Sequence, residues 1–450
     1  MFALPLALVA PLALALTPTA LGAERSAARE PAQGAGSDVA VAFVGARLIP
    51  IAGGEIENGV LVVRDGVILH VGALEVTPIP VGAEVRDVTG RVILPGLVDT
   101  HSHLGGVSGG DSSSPLQPEA RALDSINARA PGFARARAGG LTTINVMPGS
   151  GHLCSGQTAY LKLRDGTTVE ELAIEGPDGA PMGGLKMANG TNPRRDPPFP
   201  GTRAKSAALV RAMLQEAREY AAKIERAGDD ADKRPDRDLG LEALVEVLEG
   251  KRIVHHHTHR HDDILTVLRL AEEFGFRVVL HHASEAWKVA DEIAAAGVPT
   301  SLIVVDSPGG KQEALEVRFD TGAVLEAVGA RTAFHTDDLI TDSRLFLRSA
   351  ALAVRAGMSR RMALEGLTLA GAEMLDLQER VGSLEVGKDA DFVVLDGDPL
   401  SVYTKVLETW VEGQQVFDRG DPGDRLFAVG GYGAGDDRVN GGCCAPEVAR

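Results

Sequence analysis

Histidine is the side chain this sequence concentrates where chemistry is done. His255-His256-His257-Thr-His259-Arg-His261 puts five histidines in seven positions directly after the apolar run Arg252 to Val254. Packing alone does not call for such a density, whereas imidazole nitrogens are good ligands for zinc and similar divalent ions. Three further groups repeat the arrangement. Asp99-Thr-His101-Ser-His103 follows Val92 to Val98, His281-His282-Ala-Ser-Glu285 follows Arg277 to Leu280, and His335-Thr-Asp337-Asp338 follows Thr332 to Phe334. Residues two apart in a strand project to the same side, so His101 and His103 can reach one ion from a strand end. A one-residue slip reverses which side chain faces inward. The choice within His255 to His261, between His281 and His282, and between Asp337 and Asp338 therefore stays open at this level. Cys154, Cys443 and Cys444 are the only cysteines, with no CxxC pair for a thiolate metal site. Cys154 has no recognisable partner base, and a buried thiol is expected there.

Side chains so far apart in sequence need a scaffold that gathers strand ends. The runs before the histidine groups, together with Leu141 to Val146 and Thr300 to Val305, alternate with helical patterns such as Ser206 to Ala227 and Asp262 to Phe274. Strand–helix alternation over some 290 residues is the form of a parallel α/β barrel or doubly wound sheet, and barrels carry their sites at the C-terminal ends of the strands. Short β-branched runs divided by Gly53-Gly54, Asp65-Gly66 and Thr89-Gly90 occupy residues 39–95. A second β-rich stretch lies at 382–418. Neither has enough strands to bury a core alone, so the two ends are expected to form one β-sandwich around a barrel at 96–381.

The chain's 450 residues, 44% hydrophobic and 24% charged, suit a globular protein of one large and one smaller domain. A net charge of −17 without any basic run excludes nucleic acid as the expected partner. Residues 1–23 have the apolar stretch and small-residue end of a secretory signal peptide, although without a basic start. Residues 24–38 are expected as a linker and 419–450 as a flexible Gly/Asp-rich tail. The expected location is periplasmic or extracellular, with no stable membrane insertion after signal cleavage, and a homo-oligomer stays open.

Pro95-Gly-Leu-Val-Asp-Thr-His-Ser-His103 and Gly382-Ser-Leu-Glu-Val-Gly-Lys-Asp-Ala-Asp-Phe-Val-Val-Leu395 resemble the two end signatures of the amidohydrolase superfamily. Gly184-Leu-Lys-Met-Ala-Asn-Gly-Thr-Asn-Pro193 and His257-Thr-His-Arg-His-Asp-Asp-Ile264 make the sequence most similar to imidazolonepropionase-like and prolidase-like members. The resemblance implies a (β/α)8 barrel and metal ligands at His101, His103, His257, His282 and Asp337, with Asp338 as the fallback for the last. Asp337 would also take a proton from water, and His259 would touch the substrate. It further implies a carboxylated Lys186 bridging two ions, or one ion if that bridge is absent, zinc being the expected metal.

Arg194-Arg195 could grip a substrate carboxylate, with Glu285 as a further polar contact. The implied reaction is hydrolysis of an amide or peptide bond in a small molecule, a dipeptide or N-acyl amino acid if the chain is exported. The alternatives are a cyclic-amide hydrolase or deaminase, and a non-catalytic metal-binding protein.

Overall fold

The computed structural model describes residues 39–107, 110–338, 340–431 and 434, so the signal peptide, the linker and most of the tail expected above lie outside the described residues. Five strands open it: β1 (Val41–Leu48), β2 (Ile56–Arg64), β3 (Val67–Ala73), β4 (Glu84–Asp87) and β5 (Val92–Pro95). Asp65 and Gly66 both have positive φ, 52° and 82°, the mirror-image turn that lets β2 and β3 keep their twist across a two-residue connection.

Next come β6 (Leu97–Ser102), β7 (Leu141–Val146), β8 (Cys154–Gln157), β9 (Ala159–Lys162) and β10 (Leu185–Ala188). They are followed by β11 (Val254–Thr258), β12 (Val278–His282), β13 (Thr300–Leu302) and β14 (Thr332–Phe334). The chain then supplies β15 (Phe392–Leu395), β16 (Val406–Val411) and β17 (Gln414–Asp418).

The two chain ends share one eight-stranded sheet in the order β17-β16-β15-β5-β1-β2-β3, with β4 on β1. β15 lies antiparallel to β5, Phe392 opposite Pro95 and Leu395 opposite Val92. Phe43, Phe392 and Trp410 pack on one face with ring centroids 5.0 to 5.6 Å apart, which ties strands from both termini by aromatic burial.

The expected run from Val92 to Val98 is not one strand. It breaks at Gly96, where a Cβ would lie 2.2 Å from Thr142 Oγ1, so only glycine lets the chain leave the end sheet and enter β6.

The middle of the chain is a mixed α/β arrangement. β10 to β14 run parallel in consecutive register, each pair separated in sequence by helical segments, while β6, β7 and β9 form a second sheet. The sheets meet where Asp337 N donates to His101 O at 2.9 Å beside the parallel bridge Ser102–Asp338, and where Tyr160 N donates to Met182 O at 3.0 Å. The helix Arg203–Ala227 starts at Thr202, whose hydroxyl accepts from Lys205 N, and His261–Phe274 stops at Gly275 with φ 74°.

The tail is a correction in part, because Pro422–Val429 is helical. Pro422 suits a first helical turn, and the Asp421 carboxylate accepts from Gly423 N and Asp424 N.

Candidate metal centre

His101, one residue before the end of β6, is fully buried, and its Nε2 lies 3.3 Å from His103 Nε2. Both point at Asp337 Oδ1, at 3.5 and 3.0 Å. The His103 tautomer follows from its other nitrogen. Nδ1 is 2.7 Å from the Met147 carbonyl, which can only accept, so Nδ1 carries the proton and Nε2 presents a lone pair.

Asp99 locks the two strand ends together by accepting from His101 N and Thr336 N, each at 3.1 Å, and from Thr336 Oγ1. Burial pushes its pKa up to about 7, against the pull of those hydrogen bonds. Asp337 sits at φ 48°, a left-handed residue that turns its carboxylate onto the histidines instead of along the strand direction.

Lys186 on β10 is fully buried, with Nζ 3.1 Å from His101 Nε2 and 3.0 Å from Met147 Sδ. His282, at φ 66°, closes the group from β12: its Nδ1 is 3.9 Å from Asp337 Oδ2 and 3.1 Å from His335 Nε2. His335 is oriented by Ser301 Oγ at 2.8 Å, itself 2.6 Å from Thr100 Oγ1. The His281 ring packs on His101 and His335, with centroids 5.0 and 5.3 Å away, and its Nε2 lies 3.0 Å from Nδ1 of His255, whose Nε2 is 2.9 Å from Tyr160 OH.

His257 and His259 pack against His282, with ring centroids 4.5 and 5.0 Å from it. His257 Nε2 is 3.1 Å, and His259 Nε2 2.9 Å, from Lys311 Nζ, which also pairs with Glu313 Oε1 at 3.1 Å.

The remaining sequence candidates are engaged elsewhere. Arg194 Nε donates to Gly190 O, and Arg195 donates to Gly151 O with its guanidinium over the Phe199 ring. Glu285 accepts from His261 N and His261 Nδ1, a cap for the helix His261–Phe274. The Cys154 thiol is pushed up to about 12 by burial, which removes it as a nucleophile at neutral pH. Sequence reasoning missed Asp99, Lys311 and Glu313. The last two come from the loop after β13, where Pro308-Gly-Gly-Lys311 was a readable turn at a strand's C-terminal end.

These residues fit a divalent cation. His101, His103 and Asp337 offer donor atoms within 4.8 Å of one another, as do His101, His282 and His335. Burial, reinforced by Lys186 beside His101 and by His257 beside His282, holds the His101 and His282 imidazoles well below their ordinary pKa, so both are neutral and able to donate a lone pair. His101 Nδ1 and His282 Nε2 are buried without a hydrogen-bond partner, a costly state in apolar surroundings.

Neutral imidazoles and one carboxylate gathered at the ends of parallel strands define a metal-dependent hydrolase of the α/β class. The chain belongs to the amidohydrolase family, whose sequence profile matches residues 92–416. Membership sets aside the non-catalytic metal-binding alternative. A solved amidohydrolase from Thermotoga maritima MSB8 is 33% identical, with TM-score 0.78 over 84% of this chain and 100% of that one. The imidazolonepropionase of Sphingopyxis alaskensis is 27% identical over 403 residues, 81% of this chain and 94% of that protein. Amidohydrolase tasK of Hapsidospora irregularis is 28% identical over 392 residues, 80% of this chain, which spans only 40% of tasK's length.

Proposed function

We propose that the protein hydrolyses an amide C–N bond in a small molecule, first among them a dipeptide or N-acyl amino acid, at a centre held by His101, His103 and Asp337. The observation that carries this is the convergence of His101 Nε2, His103 Nε2 and Asp337 Oδ1 on one buried point. His101, His103 and Asp337 would hold a divalent ion, zinc in this proposal, and such an ion would supply a more acidic water, its pKa lowered from about 15.7 toward 7, and a Lewis acid for a carbonyl oxygen. Asp337 accepts the water proton on its carboxylate and returns it to the leaving nitrogen. Asp99 and Thr336 hold the Asp337 turn against β6, so the carboxylate stays in register with both histidines. Lys186, once carboxylated, would add an anionic oxygen ligand and admit a second ion, and its burial beside His101 supports that role.

The proposal extends to the scaffold. The two α/β sheets close as a (β/α)8 barrel, the shared end sheet of 39–95 and 382–418 is a β-sandwich domain, and the chain is exported after removal of residues 1–23. The second reading, a cyclic amide, is favoured by likeness to imidazolonepropionase along 94% of that protein.

The test is hydrolysis by the metal-replete chain across dipeptide, N-acyl amino acid and cyclic-amide libraries, with and without chelator. Chelator-sensitive turnover of open-chain amides supports the first reading, and turnover of rings alone supports the second. A metal-loaded, folded chain that cleaves none of them would refute both.

A further inference from the structure

Side chains alternate along β11, so His255 and His257 face the metal centre's side while His256 between them faces the helices. A cleft opens on that outer side. It lies between the ends of β10 and β11 and the helices Arg203–Ala227 and His261–Phe274, and offers about 310 Å3. Small-molecule sites fall in the range of about 300–1,000 Å3.

The wall mixes apolar side chains with unspent polar atoms. Leu153, Val210 and Leu270 supply apolar surface. His256 Nδ1 is 2.9 Å from the His257 carbonyl, which can only accept, so Nδ1 carries the proton and Nε2 presents a lone pair. Asn189 donates Nδ2 to Asp263 O at 3.0 Å, and its Oδ1 is buried without a hydrogen-bond partner. Arg203 donates Nε to both Asp263 oxygens, at 2.9 and 2.8 Å, while its buried Nη2 makes no hydrogen bond and stands 3.7 Å from Glu313 Oε2. Arg269 donates to an alcohol, Thr266 Oγ1 at 2.9 Å, which leaves its charge for another partner. Buried polar atoms without partners are costly. A molecule that satisfies them needs a donor for Asn189 and His256, an anionic acceptor for the two arginines, and an apolar body.

We propose that this cleft binds a free α-amino acid with an aliphatic side chain. Its ammonium donates to Asn189 Oδ1 and His256 Nε2, its carboxylate accepts from Arg203 and Arg269, and its side chain rests on Leu153, Val210 and Leu270. The cleft shares no residue with the His101, His103 and Asp337 group, so the proposal stands independently of the substrate reading.

The experiment is isothermal titration calorimetry on the full-length, metal-replete chain with L-leucine, L-valine and L-methionine, repeated after chelation. Isoamylamine and 4-methylpentanoate, which each carry one of leucine's two charged groups, are the controls. At least one amino acid should bind equally well before and after chelation. For leucine, each control should bind at least about tenfold more weakly, because it forfeits charge-assisted hydrogen bonds. Ala207→Trp, which fills the cleft from the helix Arg203–Ala227, and Arg269→Gln, which removes a carboxylate donor, should each weaken amino-acid binding about tenfold or more with zinc per chain unchanged. Circular dichroism checks folding, and Ala207→Leu stands in if the tryptophan variant misfolds. Failure of all three amino acids to bind at millimolar concentration would mean a water-filled cleft only and overturn the proposal. So would binding that disappears with the metal, binding that a folded Ala207 variant or Arg269→Gln leaves intact, or controls that bind as well as leucine.

Discussion

Lys162→Met asks how firmly the shared end sheet is fastened to the α/β part of the chain. Lys162, on β9, is almost wholly buried, and its Nζ lies 2.7 Å from Asp391 Oδ2, 2.8 Å from Asp389 Oδ2 and 3.9 Å from Glu412 Oε1. All three carboxylates belong to the C-terminal segment that carries β15 to β17. Methionine keeps the apolar stem and removes the charge.

Asp389 and Glu412 retain Arg380 and Arg164 as partners, at 3.0 and 2.6 Å. Asp391 is buried and, among the described residues, its carboxylate keeps the Glu412 backbone N–H as donor, at 2.8 Å. The loss is therefore that of one partner of a buried pair, about 3–5 kcal/mol, and not the 0–1 kcal/mol of a surface pair. With about 2.1 cal/mol/K of unfolding entropy per residue, 450 residues give about 1 °C per kcal/mol, so Tm should fall by about 3–5 °C. Scanning calorimetry and urea denaturation measure it. Lys162→Met with Asp391→Asn, which also removes the stranded charge, should regain about half of the loss. A single variant within about 1 kcal/mol of wild type, or a double variant no more stable than the single, would refute the reasoning.

Asp337→Asn should fold, since asparagine tolerates the positive φ of 48°, yet lower kcat/KM by about 10²–10⁴ by removing the proton acceptor; steady-state kinetics at matched metal occupancy would decide it. If Lys186 bridges two ions, Lys186→Ala should reduce bound metal toward one per chain while Lys186→Glu retains part of it, and unchanged metal content with near-normal rate in Lys186→Ala would leave a mononuclear centre. Burial is the largest cause lowering His255 to about 3 and His256 to about 4, so both stay neutral in the folded chain while the unfolded chain protonates them below pH about 6.5. Their contribution is complete above that pH and is lost as pH falls toward 4 and 3, at about 1.4 kcal/mol per pH unit for each histidine. Denaturation midpoints from pH 7.5 to 4.5 should fall accordingly, and a flat series would contradict it.

Local pattern was enough to bring out the histidine groups at strand ends because strand periodicity and turn residues act over a few positions. The run ending in His101-Ser-His103, the strand Leu141–Val146 and the helix ending at Phe274 follow from spacing, Gly275 and apolar faces alone. So does the gathering of histidines at strand ends. Which member of each group faces which neighbour was not local information. His282 and Asp337 are turned inward by positive φ, a backbone state imposed by the chain's contacts and not by residue preference, while His281 is turned to His255. His257 joins His259 through Lys311 and Glu313, more than fifty residues further on, because parallel strands set side by side bring loops together whatever their separation in sequence. The sheet joining β5 to β15 is likewise a tertiary outcome: each edge alone would expose unpaired backbone groups, and only packing of Phe43 against Phe392 and Trp410 selects that partner.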